Sequence, residues 1–153
     1  MTSSEHIEAL FSLLDDPDPF VQEAVRQRML DIGTDVATRL RQTVGSSGDG
    51  RVKEAATSIL SLLGLDRFRN SVDQMLKQSE GRDDIDLESG VLAVAYIGWP
   101  ELKGSDCNQQ LDTMASMVED RVRRCDNGYM VVREMNRYLI DQLGVHACRP
   151  EPD

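Results

Sequence analysis

The sequence predicts an all-α protein of stacked helical hairpins, with about seven to eight helices. Two observations lead to this fold class. Apolar residues recur at the 3.6-residue spacing of one helix face along most of the chain, and one such pattern returns 31 residues later. We expect a single domain over 1–144, in which 1–64 forms two hairpins and 65–144 supplies helices that cover them, followed by a flexible tail over 145–153.

The segment LLDDPDPFVQEAVRQRMLDIG, residues 13–33, contains the clearest helix signals. Asp18 is a favourable N-cap, and Pro19 suits the first helical turn, where its missing N–H has no cost. Gly33 can adopt the left-handed conformation that ends many helices. The apolar side is formed by Val21, Ala24, Val25, Met29 and Ile32. The sequence therefore predicts a helix that begins after Asp18 and ends at Gly33.

Three more helices are predicted in the first half of the chain. Thr34 is expected to cap a short one, which ends before the glycine- and serine-rich loop at 45–50. The segment RVKEAATSILSLLG then predicts a helix that ends at Gly64. A further helix is expected from Asp66 to the neighbourhood of Gly81.

The helical pattern of residues 18–33 recurs at an offset of 31 residues. The matching pairs are Asp18 and Asp49, Val21 and Val52, Glu23 and Glu54, Ala24 and Ala55, Ile32 and Leu63, and Gly33 and Gly64. A helix, an Asp-Pro turn and a second helix with a Leu/Ile-Gly ending resemble a HEAT-type repeat unit, which implies that the hairpins stack and that other helices cover their ends. Two ordinary hairpins in a helical bundle would bury nearly the same core and remain the alternative.

Residues 91–99, VLAVAYIGW, form an apolar run without a polar side. Asp86 is the expected N-cap of the helix that contains this run. We expect a buried central helix, whereas the length and β-branching would also suit a buried strand. A lone strand would leave its backbone groups unpaired, which favours the helix. The helix should end at Trp99, because a residue before proline avoids helical geometry.

Two further helices are predicted before Gly144. Asp106, with Gln109 three residues later, is expected to cap the first of them. The apolar sides are Leu111, Met114, Ala115, Val118 and Val122 in the first, and Val131, Met135, Tyr138, Leu139 and Leu143 in the second. The methionines of these and the earlier helices are expected to fill gaps in a core. They are Met29, Met75, Met114, Met117, Met130 and Met135.

Charge and composition limit the classes of partner. The formal net charge of −10 argues against nucleic acid and against an anionic membrane surface. The longest apolar run is about half the length that a membrane-spanning helix needs. The N-terminus lacks the basic start of a signal peptide, and three cysteines without paired spacing suit reduced thiols. We therefore expect a cytoplasmic protein that binds neither nucleic acid nor membrane, and whose protein partner has a basic face.

Candidates for catalysis or metal binding are few. His6 and His146 lie near the chain ends, and Cys148 beside His146 has no orienting third group. The histidines and cysteines lack zinc-site spacing, and the loop at 45–50 lacks the features of a phosphate-binding loop. An acidic loop could hold calcium but lacks the EF-hand pattern, so solvation and helix capping are preferred. Its residues are Asp83, Asp84, Asp86 and Glu88. We expect no catalytic residue, no metal site and no cofactor.

Three motifs of the second half occur in a recognisable order: DIDLESGVLAVAYIGWPEL, NQQLDTMASMVEDRV and MNRYLIDQLG. Together they resemble the N-terminal helical half of bacterial transglutaminase-like proteins of the SirB type. The resemblance covers about 85–144 and, more loosely, the hairpins before it. It implies a helical region that precedes a papain-like core, with any Cys-His-Asp machinery beyond the last motif. No position of this sequence therefore inherits a catalytic role.

Two hypotheses of function follow from these patterns. The first is a non-enzymatic scaffold or protein–protein interaction domain, and the second is the structural or regulatory N-terminal part of a transglutaminase-like or protease-like enzyme. In both, the partner is another protein or an attached catalytic domain. Exposed positions on the two repeat helices and the acidic loop are the predicted interaction surface. They are Gln22, Arg26, Lys53, Asp83, Asp84 and Glu88.

Overall fold

A computed structural model describes residues 3–79 and 86–145, and within these ranges it contains helices and turns but no strand. The α-helices are α1 (Ser3–Ser12), α2 (Pro19–Ile32), α3 (Ala37–Ser46), α4 (Gly50–Ser79), α5 (Leu87–Gly98), α6 (Gly104–Val122) and α7 (Gly128–Asn136). A 3₁₀ turn joins α2 to α3, and a π-helix, Arg137–Gln142, continues α7. The all-α prediction is confirmed, and the apolar run at 91–99 lies in a helix and not in a strand. None of the helices in the described ranges is long and apolar enough to cross a membrane.

The chain divides into two compact units, residues 1–102 and 103–153. In the first unit α4 packs against α2, α3 and α5. Its core is formed by apolar side chains of α1 to α4, of the turn after α1 and of the 3₁₀ turn. These residues are Leu10, Leu14, Val25, Met29, Val36, Ala37, Leu40, Ala56, Ile59 and Leu63. The second unit is described over 103–145, where Val118 and Tyr138 are its buried hydrophobic side chains.

The two helices related by the 31-residue offset begin with the same hydrogen bonds. Asp18 Oδ1 and Asp49 Oδ1 each accept from the backbone N–H two residues further on, at 2.8 Å in both. The N–H of Asp18 donates to Asp16 Oδ1 at 2.9 Å, and the N–H of Asp49 donates to Ser47 Oγ at 3.1 Å. These caps satisfy backbone donors that a helix start leaves unpaired. The prediction of Asp18 as N-cap is confirmed.

The two helix ends related by the same offset differ. Gly33 has φ +78° and follows the last residue of α2, as the sequence predicts. Gly64 instead lies inside α4, which runs for 30 residues without a break. The predicted helix end at Gly64 and the predicted new helix from Asp66 are therefore wrong. The reason is packing: a Cβ on Gly64 would collide with the backbone carbonyl oxygen of Ile97 in α5.

Two predicted caps are also wrong. Thr34 lies within the 3₁₀ turn Gly33–Val36, and no side chain caps the start of α3. The helix α6 begins at Gly104, so Asp106 lies in its first turn and is not its N-cap. At α3 the chain continues from the 3₁₀ turn directly into the α-helix, so a separate cap is not required, whereas α6 is preceded by Lys103 in an extended conformation. An acid in a first helical turn still interacts favourably with the helix dipole.

Candidate interaction surface on α5

The start of α5 is fixed by Asp86. Asp86 Oδ2 accepts from the hydroxyl of Ser89 at 2.5 Å and from its backbone N–H at 2.9 Å. These hydrogen bonds stabilise the carboxylate, so the pKa of Asp86 lies below its ordinary value. The prediction of Asp86 as N-cap is confirmed, and α5 has a defined first turn from which its faces follow.

The middle of α5 lies against α4. The backbone of α5 at Tyr96 and Ile97 approaches Gly64 so closely that a Cβ there would lie 2.8 Å from the Tyr96 carbonyl oxygen. Ala93, one turn earlier, is buried. The guanidinium of Arg67 in α4 lies over the ring of Tyr96, 3.6 Å from its centroid, in the geometry of a cation–π interaction. One side of α5 is therefore covered by α4.

Two arginines hold the turn that follows α5. Arg41 in α3 donates to the Gly98 carbonyl oxygen at 2.6 Å and forms an ion pair with Glu101. Arg67 donates to the carbonyl oxygen of Pro100, whose side chain is buried. Bonds from a charged donor are stronger than those between neutral groups. The C-terminal end of α5 is thus fixed to α3 and α4.

The Arg41–Glu101 ion pair should give the protein a measurable acid sensitivity. Burial opposes ionisation of Glu101, but the hydrogen bond and charge of Arg41 prevail, so the pKa of Glu101 is lowered from 4.5. A lowered folded-state pKa contributes stability that is present above the unfolded-state pKa and is lost as pH falls through the folded-state value. We expect the free energy of unfolding, measured by urea titration between about pH 5 and pH 3, to fall less steeply in Glu101→Gln than in the wild type. Equal slopes in the two proteins would contradict this assignment.

The outward side of α5 is apolar and exposed. Leu87, Val91 and Val94 follow one another at helical spacing and are 80%, 61% and 61% exposed. Ile97 and Trp99 extend this set at the end of the helix and are also exposed. We call these five side chains the α5 apolar face. The predicted buried central helix is therefore only half right, because α4 covers one side and no described residue of the first unit covers the other.

The residues predicted as an interaction surface lie in different places. Gln22 and Arg26 line a cleft of about 270 Å³ between α2 and α4, where Arg26 pairs with Glu23 at 2.5 Å. Lys53 is exposed on α4 outside that lining. Glu88 lies in the first turn of α5, beside the start of the α5 apolar face. Asp83 and Asp84 lie outside the described residues.

Of the residues considered for chemistry, His6 lies in α1, Cys107 in α6 and Cys125 after the end of α6. His6 Nε2 accepts a hydrogen bond from Arg28 at 3.2 Å. Cys107 and Cys125 are free thiols of intermediate exposure. His146 and Cys148, together with the rest of the predicted tail after Val145, lie outside the described residues. Within the part of the chain that the structure describes, no group of three or more His, Cys, Asp or Glu side chains is placed to hold a metal ion.

Comparison with known proteins gives no match to a family model, to a curated protein or to a solved structure.

Proposed function

We propose that this chain is a non-enzymatic cytoplasmic helical domain that binds another protein through the α5 apolar face. The carrying observation is that α4 and two arginines hold α5 in place while Leu87, Val91 and Val94 remain exposed. Apolar side chains grouped on one exposed helix face are typical of protein interaction sites. The net charge of −10 favours a partner whose apolar contact region has a basic rim.

The proposal includes HEAT-like stacking of the hairpins in residues 1–64. It is supported by the matching caps at Asp18 and Asp49 and by the shared core of α1 to α4. Helical-hairpin stacks use their long outer surfaces to bind other proteins. Gly64 departs from the repeat, since it serves the contact with α5 and does not end a helix.

A retention experiment tests the proposed function. Three forms of the full chain serve as bait: the wild type, V91S/V94S and the control V132S/V145S. The control valines, Val132 and Val145, are 56% and 55% exposed and lie outside the α5 apolar face. We expect the wild type and the control to retain a protein from the encoding organism. The amount retained by V91S/V94S should be at least about tenfold lower, because the contact loses buried apolar area. That protein, once purified, should bind the wild type directly. Equal retention by all three baits would overturn the proposal.

A second candidate function is the structural or regulatory N-terminal part of a transglutaminase-like or protease-like enzyme. It is favoured by the position of the α5 apolar face, which lies within residues 85–144, the segment that resembles SirB-type proteins. The occupant of the face would then be the catalytic part of the same enzyme. A reading frame that continues past Asp153, or an adjacent gene that encodes a Cys/His/Asp core, would support it. A retained partner from an unrelated gene would count against it.

A further inference from the structure

The second unit contains an apolar groove that is separate from α5. Residues of α6, α7 and the π-helix line a space of about 300 Å³, which we call the α6–α7 groove. The lining side chains are Leu111, Met114, Ala115, Val118, Met135, Tyr138 and Leu139. The hydroxyl of Tyr138 already donates to Met117 Sδ at 3.1 Å. Among the described residues that line it, the groove thus offers apolar surface and no free polar side chain to orient a small polar ligand.

The edges of the groove are acidic. Asp112 and Glu119 line the space beside it on one side, and Asp106 lines the space on the other. No Lys, Arg or His is among the described residues that line the groove or these two neighbouring spaces. Glu119 is paired with Arg123 at 2.5 Å, whereas Asp106 and Asp112 have no ion-pair partner among the described residues. The groove therefore combines an apolar floor with negative rims.

We infer that the α6–α7 groove binds an amphipathic helix whose apolar stripe is flanked by Lys and Arg. A helix presents side chains at i, i+3, i+4 and i+7 along one face, which suits an apolar groove between two helices. Basic residues beside that stripe would meet Asp106 and Asp112. Methionines in the lining, Met114 and Met135, have unbranched side chains that adapt to different apolar surfaces.

The same charges argue against other occupants. A second copy of this chain, seated groove to groove, would bring two acidic rims together, which costs free energy. A nucleic acid or an anionic lipid surface would meet the same repulsion. This inference rests on the proposed function, because both make the chain a protein-binding domain. The groove, however, is formed by different residues and lies in the second unit.

Fluorescence anisotropy with a designed peptide tests the inference. The probe is a labelled helix of about 18 residues with Leu at i, i+3, i+4 and i+7 and Lys beside them; the control peptide carries Glu in place of Lys. We expect roughly micromolar binding of the Lys peptide and at least about tenfold weaker binding of the Glu peptide. Added salt should lower the affinity of the Lys peptide more than that of the Glu peptide, because it screens the attraction between Lys and the acidic rim.

Variants of the full chain locate the binding. D106N/D112N should lower the affinity for the Lys peptide by about threefold to tenfold. D120N should leave this affinity unchanged, because Asp120 is an exposed acid outside the lining. L111S should weaken it by about tenfold through lost apolar contact. No binding of the Lys peptide, equal binding of both peptides, or an equal effect of D120N would overturn the inference.

Two further measurements separate this inference from related outcomes. Concentration-dependent dimerisation that L111S abolishes would show that a second copy fills the groove and would overturn the inference. V91S/V94S should bind the Lys peptide as the wild type does, because its substitutions lie on α5. If the Lys peptide binds but no partner depends on α5, the proposed function is overturned and the groove inference stands. If a partner depends on α5 but the Lys peptide does not bind, the groove inference is overturned and the proposed function stands.

Discussion

Gly64→Ala should lower the free energy of unfolding by roughly 2–4 kcal/mol, because the new methyl group must displace the backbone of α5. In most helix interiors the same change is favourable by up to about 1 kcal/mol. Here the added Cβ would collide with the Ile97 carbonyl oxygen, and a backbone atom cannot rotate away as a flexible side chain can. Chemical denaturation monitored by circular dichroism gives the difference.

Gly90→Ala in α5 is the matched control. A Cβ at Gly90 would meet nothing within 4 Å, so this variant should be unchanged or more stable by up to about 1 kcal/mol. Equal effects of the two substitutions would mean that α4 and α5 do not approach each other at Gly64. Since α5 carries the proposed interaction face, that result would also remove its structural support.

Leu40→Ala should destabilise the protein by about 3–4 kcal/mol. Leu40 is 0% exposed within the core of the first unit, so truncation loses apolar burial and leaves a cavity. Leu76→Ala in α4 makes the same chemical change at a side chain that is 59% exposed, and should cost less than about 1 kcal/mol. Thermal and urea unfolding of both variants measure the two costs.

The contrast between the two leucines is the informative quantity, because helix propensity changes equally in both variants. A loss near 1 kcal/mol at Leu40 would show that the first unit is loosely packed. Such a result would contradict the claim that α1 to α4 share a tightly packed core and that this core supports α5.

The helices of the first half could be predicted where local chemistry and packing agree. Asp18, Pro19 and Gly33 each act through their own backbone or through a residue two positions away, so a linear pattern contains the information. The apolar positions Val25 and Met29 became core for the same reason, since one helix face must be buried. The all-α class follows from these local rules.

Gly64 shows where local rules fail. Its repeat partner Gly33 ends a helix through positive φ, whereas Gly64 is required by a backbone in α5 more than 30 residues later in the sequence. Pattern matching cannot distinguish these two uses of glycine, since both place it after a run of helical residues. The long α4 was missed as a consequence.

The two proposed interaction surfaces differ from the surface that the sequence predicted. An apolar run such as 91–99 predicts burial, but it does not reveal that α4 covers only one side of the helix. Met117 and Met135, expected in a core, are exposed in the second unit. The signal available in the sequence was the number of apolar positions in α6 and in the last helical segment. This number exceeds what two helices can bury against each other.

The most direct test of the function proposed for the α5 apolar face is the affinity of the purified partner, measured by isothermal titration calorimetry. We expect V91S/V94S to bind at least about tenfold more weakly than the wild type, and V132S/V145S to bind as the wild type does. Equal affinities for all three proteins would contradict the assignment of α5 as the surface through which this chain meets another protein.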